Sequence, residues 1–368
     1  MITIATILGA RPQFIKAAAI SRAIANHNNS ATNQFLPINE ILIHTGQHYD
    51  YELSAVFFRE LGLSDPAYHL GIGSGSHGFQ TGQVLAELES PLIEIRPDLV
   101  IVYGDTNSTL AGGLTSAKLN IPVAHIEAGL RSFNRTMPEE INRILTDHLS
   151  SWLFCPSELA VKNLAKEGIR NGVSMVGDVM YDVCLWHQKR ADRHRNLLSE
   201  LGLESGGYAL ATVHRAGNVD DPKRLNSIFA GLERIAAEEI PIILPLHPRT
   251  KKALLSYGIA VKKIKTILPV SYEEMLFLEK NARVILTDSG GVQKEAYWLG
   301  IPCITLRDET EWPETVKAGW NVVVGSDQNL MMENVRRDSP TQNRLRLYGK
   351  GQTSTEIVQI LAEYLLNS

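Results

Sequence analysis

Short, nearly uninterrupted apolar runs alternate along this chain with longer stretches whose apolar residues recur at helical spacing. The first series of runs covers residues 2–8, 40–44, 99–103, 123–126, 152–155 and 173–177. A second covers residues 209–213, 242–246, 266–268, 284–286, 303–306 and 322–324. Runs without polar alternation predict strands buried on both faces of parallel sheets, with the helical stretches as crossovers. The pattern predicts an α/β protein of two Rossmann-like, doubly wound parallel-sheet domains facing across a cleft. Their expected bounds are 1–177 and 178–350. The closing helix, 351–368, carries Ile357, Ile360, Leu361 and Leu365 at helical spacing and is expected to pack back on the first domain.

The run ends carry the chemistry. Val284-Ile285-Leu286 leads through Thr287-Asp288 into Ser289-Gly290-Gly291 and then a helical pattern containing Glu295. A strand that stops at paired glycines and turns into a helix presents open amides and the positive end of a helix dipole, which suits phosphate. Glu295 is placed to accept hydrogen bonds from a ribose diol. In the first half, Gly9-Ala10-Arg11-Pro12 follows the first run, with Lys16 a turn later. Cations at a helix start oppose the dipole, so Arg11 and Lys16 beside a strand's carboxyl end point to an anionic ligand. His44, Asp105 and Glu127 follow further runs, Glu139 and Glu140 open another helix, and His214-Arg215 and His247 end runs of the second half. The cluster Gly71-Ile72-Gly73-Ser74-Gly75 follows no recognisable run and reads as a loop.

Composition narrows the choice. The 368 residues exceed one ordinary core. A formal net charge of -4 disfavours nucleic acid as a partner. Cys155, Cys184 and Cys303 lie far apart, which suits a reducing cytoplasm better than a disulfide scaffold or a zinc site. The N-terminus has no signal-peptide pattern and no run approaches membrane-spanning length, so neither export nor a membrane is expected. No G-x-x-x-x-G-K-[ST] and no G-x-G-x-x-G after a strand occurs, which disfavours triphosphate hydrolysis and nicotinamide chemistry. What remains is a nucleotide-linked substrate undergoing proton chemistry.

Read together and in order, several stretches resemble the non-hydrolysing UDP-N-acetylglucosamine 2-epimerases over essentially the whole chain. They are Gly9 through Lys16, Gly104-Asp105-Thr106, His125 through Arg131, Pro138-Glu139-Glu140, His214-Arg215, Thr287 through Glu295 and Tyr348-Gly349-Lys350-Gly351-Gln352. The resemblance implies a glycosyltransferase-B-like fold with UDP held mainly by the second domain, no cofactor and no metal, and a homodimer. It implies inversion at C2 of a UDP-linked amino sugar by elimination and re-addition of UDP through a 2-acetamidoglucal. On this likeness Asp105, Glu127, Glu139 and His214 are the expected catalytic groups. Arg11, Lys16, Arg143, Tyr272, Ser289, Gly290, Gly291 and Glu295 are expected to bind substrate.

Departures bear on the substrate. Trp312 stands where members acting on UDP-N-acetylglucosamine often have Arg, and Met275 where they often have an aromatic residue. Trp312, Gln13-Phe14 and Lys294 resemble instead the branch acting on UDP-2,3-diacetamido-2,3-dideoxyglucuronate. Its C6 carboxylate would take a cation such as Arg131 or Arg135. Gln47-His48-Tyr49-Asp50 and His214-Arg215-Ala216-Gly217 differ from the bacterial pattern near the family's allosteric site, which argues against activation by a second substrate molecule. A glycosyltransferase using a UDP-sugar donor is the alternative of another class.

Overall fold

The computed structural model describes residues 1–30, 36–46, 58, 61–338, 340 and 344–366. The chain divides into two compact units, Met1–Val183 with Arg346–Ser368, and Cys184–Leu345. The first holds a parallel sheet of β1 (Ile2–Leu8), β2 (Ile38–His44), β3 (Tyr68–His69), β4 (Leu99–Tyr103), β5 (Val123–Ile126), β6 (Trp152–Cys155) and β7 (Val173–Met175), in the order β3-β2-β1-β4-β5-β6-β7. The second holds β8 (Ala209–Thr212), β9 (Ile242–Pro245), β10 (Lys265–Ile267), β11 (Val284–Thr287), β12 (Cys303–Thr305) and β13 (Asn321–Val323), in the order β10-β9-β8-β11-β12-β13. Both orders are those of doubly wound sheets. The order reverses between β1 and β4, and between β8 and β11, so each sheet has a crevice outside the carboxyl ends of those two strands.

Burial on both faces explains the uninterrupted apolar runs. Leu210, Ile285 and Cys303 pack with Leu278 and Ala296 on one side of the second sheet. Ala211, Leu244 and Leu286 pack with Leu225, Ile228 and Leu232 on the other. In the first unit Ala5, Ile7, Val100 and Val102 meet Val84, Leu88 and Leu92 of the helix His77–Ile95. The last helix, Thr353–Leu366, lies in the first unit against the helix Arg11–Asn29, with Ile357 and Leu361 buried. Its start is capped by the Asp182 carboxylate, which accepts from Thr353 N at 3.1 Å and Ser354 N at 2.7 Å.

One expectation fails here. The Gly71–Gly75 cluster does follow a strand, since Tyr68 and His69 pair with Ile43 and His44 of β2. Two residues are too few to show a periodicity. Among the described residues no helix is long and apolar enough to cross a membrane.

Candidate active site

In the first unit, a buried glutamine ties the two loops of the switch point together. Gln13 Oε1 accepts from Gly9 N at 2.7 Å and Ala10 N at 3.0 Å, in the turn after β1. Its Nε2 donates to Tyr103 O at 2.9 Å and to Thr109 Oγ1 at 2.9 Å, at the end of β4 and the start of the next helix. The fit is tight, because a Cβ on Gly9 would stand 2.1 Å from Ser108 Oγ and 2.6 Å from Thr45 Oγ1.

Lys16, on the helix this turn begins, forms an ion pair with the Glu127 carboxylate just beyond β5. Glu127 has a φ of 76°, an unfavourable conformation for a residue with a Cβ. Backbone strain of this kind persists where surrounding structure enforces it, and it clusters at functional sites. Here the enforcing groups are visible. His125 on β5 has Nε2 2.8 Å from Gly104 O and Nδ1 2.7 Å from Asp147 Oδ1. Asp147 also accepts from Gly129 N at 3.1 Å and from Arg131 Nη1 at 2.7 Å, and Arg131 pairs with both oxygens of Glu167 at 2.7 Å. Burial alone would raise the Asp147 carboxyl, but His125 and Arg131 outweigh it and hold it below the ordinary range. Gly104, with φ of 63°, completes the group: a Cβ there would lie 3.4 Å from Lys16 Nζ and 3.8 Å from Glu127 Oε2.

Asp105 follows Gly104 and remains accessible, its side chain 35% exposed. Arg143 Nη2 lies 2.5 Å from Asp105 Oδ2, and Asn142 Nδ2 donates to Asp105 O at 2.9 Å. Both partners come from one turn of the helix Pro138–Leu149. Glu139 in its first turn is exposed, whereas Glu140 is buried and accepts from Ser132 N and Phe133 N at 2.9 Å each. The first unit thus joins Asp105, Glu127, Lys16 and Arg143 around the ends of β4 and β5, with Glu139 outside those pairings. The Arg11 side chain lies outside the described residues, as does Gln47-His48-Tyr49-Asp50. Arg131 is corrected: its side chain is 1% exposed and committed to Asp147 and Glu167, so it is no partner for a substrate carboxylate.

In the second unit the crevice lies between the ends of β8 and β11. Asp288, fully buried at the end of β11, accepts from His214 N at 3.0 Å, Arg215 N at 3.0 Å and Asn218 Nδ2 at 3.1 Å, fixing the turn after β8. Ser289 caps the helix Gly290–Leu299 by accepting from Val292 N. The first intrahelical bond runs from Gln293 N to Ser289 O, so the Gly290 and Gly291 amides precede it and point out of the helix start. A Cβ on Gly290 would stand 3.4 Å from Trp312 Nε1 and 3.5 Å from Arg215 Nη2. The His214 ring is 40% exposed, with Nδ1 3.4 Å from Asp288. Burial lowers its pKa, Asp288 opposes that, and His247 and Arg215 lower it further, leaving it below the ordinary histidine value. Glu295, one turn deeper, accepts from Tyr272 Oη at 2.8 Å. Lys294 is buried with its ammonium 4.0 Å from the Trp312 ring centroid.

The crevice offers an anion cradle with an acceptor behind it, while the first unit offers carboxylates held by cations. Among the described residues no cluster of His, Cys, Asp or Glu is placed to hold a metal. Sequence reasoning assigned no structural part to Gln13, Asn142, Asp147 or Asp288. Asp288 lies just past the 284–286 run and the other three lie in helices, and neither position alone reveals a partner.

Residues 31–362 match the model of the UDP-N-acetylglucosamine 2-epimerase family. A UDP-N-acetylglucosamine 2-epimerase homolog of Methanococcus maripaludis is 51% identical, covering 97% of this chain and 99% of that protein. The UDP-2,3-diacetamido-2,3-dideoxy-D-glucuronate 2-epimerase of Pseudomonas aeruginosa is 48% identical, covering 98% and 99%. The crystal structure of Methanocaldococcus jannaschii UDP-GlcNAc 2-epimerase in complex with UDP-GlcNAc and UDP superimposes with a TM-score of 0.86 at 46% identity, covering 98% of this chain and all of that one.

Proposed function

Since the chain belongs to the UDP-N-acetylglucosamine 2-epimerase family, we propose that it inverts C2 of UDP-N-acetylglucosamine to give UDP-N-acetylmannosamine, with no cofactor and no net hydrolysis. The observation that carries this reading is the Ser289-Gly290-Gly291 helix start in the β8/β11 crevice, within a chain alike to such enzymes over nearly its full length.

The chemistry follows from the weakness of the acid. A C2–H bond yields its proton only when positive charge builds at C1, so cleavage of the C1–O bond to the diphosphate must accompany proton removal. The electron pair of C1–O leaves with UDP, and the C2–H pair becomes the C1=C2 bond of a 2-acetamidoglucal. Re-addition reverses both steps after protonation on the opposite face. Gly290 and Gly291 amides, the helix dipole and His214 stabilise the departing diphosphate, and Glu295 accepts the ribose diol. Asp105 and Glu127 act nearest C2, one on each face, with Glu139 as a third carboxylate; Arg143 and Lys16 pair with the first two.

A second substrate, UDP-2,3-diacetamido-2,3-dideoxyglucuronate, is favoured by one observation. Lys294 and Trp312 stack beside Gly290 and put a cation near the cradle, and the relative named for that sugar is 48% identical. Incubation with each sugar nucleotide alone, followed by proton NMR, tests the reading. The C2 epimer should form, whereas a glycosyltransferase would leave C2 unchanged. We place the enzyme in the cytoplasm as a homodimer. The exposed apolar side chains Phe79, Ile141 and Leu145 of the first unit support the second point, and light scattering tests it.

A further inference from the structure

Tyr272 Oη donates to the Glu295 carboxylate at 2.8 Å, and the Tyr272 ring is met in turn by His187. The two rings stand edge to face, their centroids 5.0 Å apart and their planes at 88°, an arrangement aromatic rings prefer. His187 lies on the helix Val179–Ala191, in the part that belongs to the second unit, and is 5% exposed. Its Nδ1 is 3.1 Å from Glu273 Oε1, where the ring N–H donates to the carboxylate. Glu273 follows Tyr272 in the first turn of the helix Tyr272–Asn281, so the imidazole holds that turn by two adjacent residues. Two more contacts close the cluster. Trp186 meets the His187 ring at 4.5 Å and 87°. The Arg190 guanidinium lies 4.5 Å from the Trp186 centroid, and its Nε pairs with the same Glu273 oxygen at 3.1 Å.

The proposed chemistry uses Tyr272 and Glu295 but neither His187 nor Glu273. An apolar side chain would fill the place of His187 without desolvating an imidazole. Apolar packing tolerates several geometries, however, whereas a buried polar group bonded to a fixed partner holds one. Burial, and after it the Glu295 charge, pushes the Tyr272 hydroxyl well above its ordinary value, so it stays protonated and serves as a donor. We propose that His187 is a positioning residue: anchored on Glu273, it sets the Tyr272 ring so that the hydroxyl orients Glu295 as the acceptor for the vicinal diol of a nucleotide's ribose. Tyr272 fills one acceptor position of the carboxylate and aims those that remain. The inference rests on the reading of Glu295 given above.

The test compares binding of UDP and 2′,3′-dideoxy-UDP to the full chain by calorimetry. The wild type should prefer UDP, and Glu295→Ala should abolish the preference. His187→Phe keeps a buried ring but cannot bond to Glu273. It should cut the preference about fivefold while dideoxy-UDP binds as before, a factor within the net worth of one hydrogen bond. Glu273→Gln, which still offers His187 an acceptor oxygen, should retain the preference. In a Tyr272→Phe background, His187→Phe should have no further effect, because the hydroxyl through which it acts is gone. An unaltered preference in His187→Phe, equal weakening of both ligands, a loss in Glu273→Gln as large as in His187→Phe, or a further loss in the Tyr272→Phe background overturns the proposal and leaves the Glu295 assignment standing. If the wild type itself shows no preference, the Glu295 assignment falls, and this inference with it. Should His187→Phe not fold, His187→Gln, which keeps a donor for Glu273 but no ring against Tyr272, should show the same loss and is judged by the same outcomes.

Discussion

Arg143 Nη2 sits 2.5 Å from Asp105 Oδ2, and the guanidinium's other arm, Nη1, lies 3.0 Å from Glu140 Oε2. Glu140 is buried and itself held by the Ser132 and Phe133 amides, so it anchors the arginine, and the arginine aims the aspartate. Arg143 therefore reads as a group acting through Asp105. Arg143→Met should lower kcat by about a hundredfold, the lower range for losing a positioned acid–base group, while the Kd for UDP changes little. Steady-state kinetics with parallel UDP titration separates the two.

The Asp147 carboxylate is the centre of a fully buried cluster with His125 and Arg131. Its pKa is held down, so its contribution to stability is complete above the unfolded value near about 4 and is lost as pH falls below it. Asp147→Asn should cost about 3 kcal/mol at neutral pH, because it leaves Arg131 buried with less countercharge. The gap between wild type and variant in urea denaturation should narrow below about pH 4.

His214 is held below the ordinary histidine value, so it is neutral at pH 7 and takes a proton only as the solution is acidified. An adjacent diphosphate favours the protonated ring. UDP affinity relative to the His214→Asn variant should rise several-fold between about pH 7 and pH 5.5. Parallel titrations of the two proteins, which cancel the titration of UDP itself, check this.

Gly9 is required by proximity to Ser108 and Thr45, whose hydroxyls are hydrogen-bonded at 2.9 Å. Gly9→Ala should destabilise by about 2 kcal/mol, as overpacking typically does, and lower Tm. It should also lower kcat, because Gln13 ties Gly9 to the loop that carries Asp105.

What the chain announces in advance and what it conceals divide along physical lines. The paired parallel sheets were legible because strands such as β4 and β11 are buried on both faces and cannot alternate with polar residues. The Ser289-Gly290-Gly291 turn was legible because a strand, glycines and a helix start form one local unit. β3 was not, since its two residues carry no period. Arg131 was misread as available because an arginine in a loop looks solvated, and only the fold brings Asp147 and Glu167 onto it. Nor could spacing show that Glu140 is buried and its neighbour Glu139 exposed, since two acids in a first helical turn look alike.

The central claim is that a hydrogen leaves and returns to C2 while UDP is held, and isotope exchange tests it most directly. With UDP-N-acetylglucosamine or its diacetamido uronate counterpart in deuterated water, proton NMR should show loss of the C2 hydrogen signal from both epimers. Asp105→Asn should abolish that loss while still binding UDP. Epimers that keep the C2 hydrogen, or no exchange with either sugar nucleotide, would contradict the account.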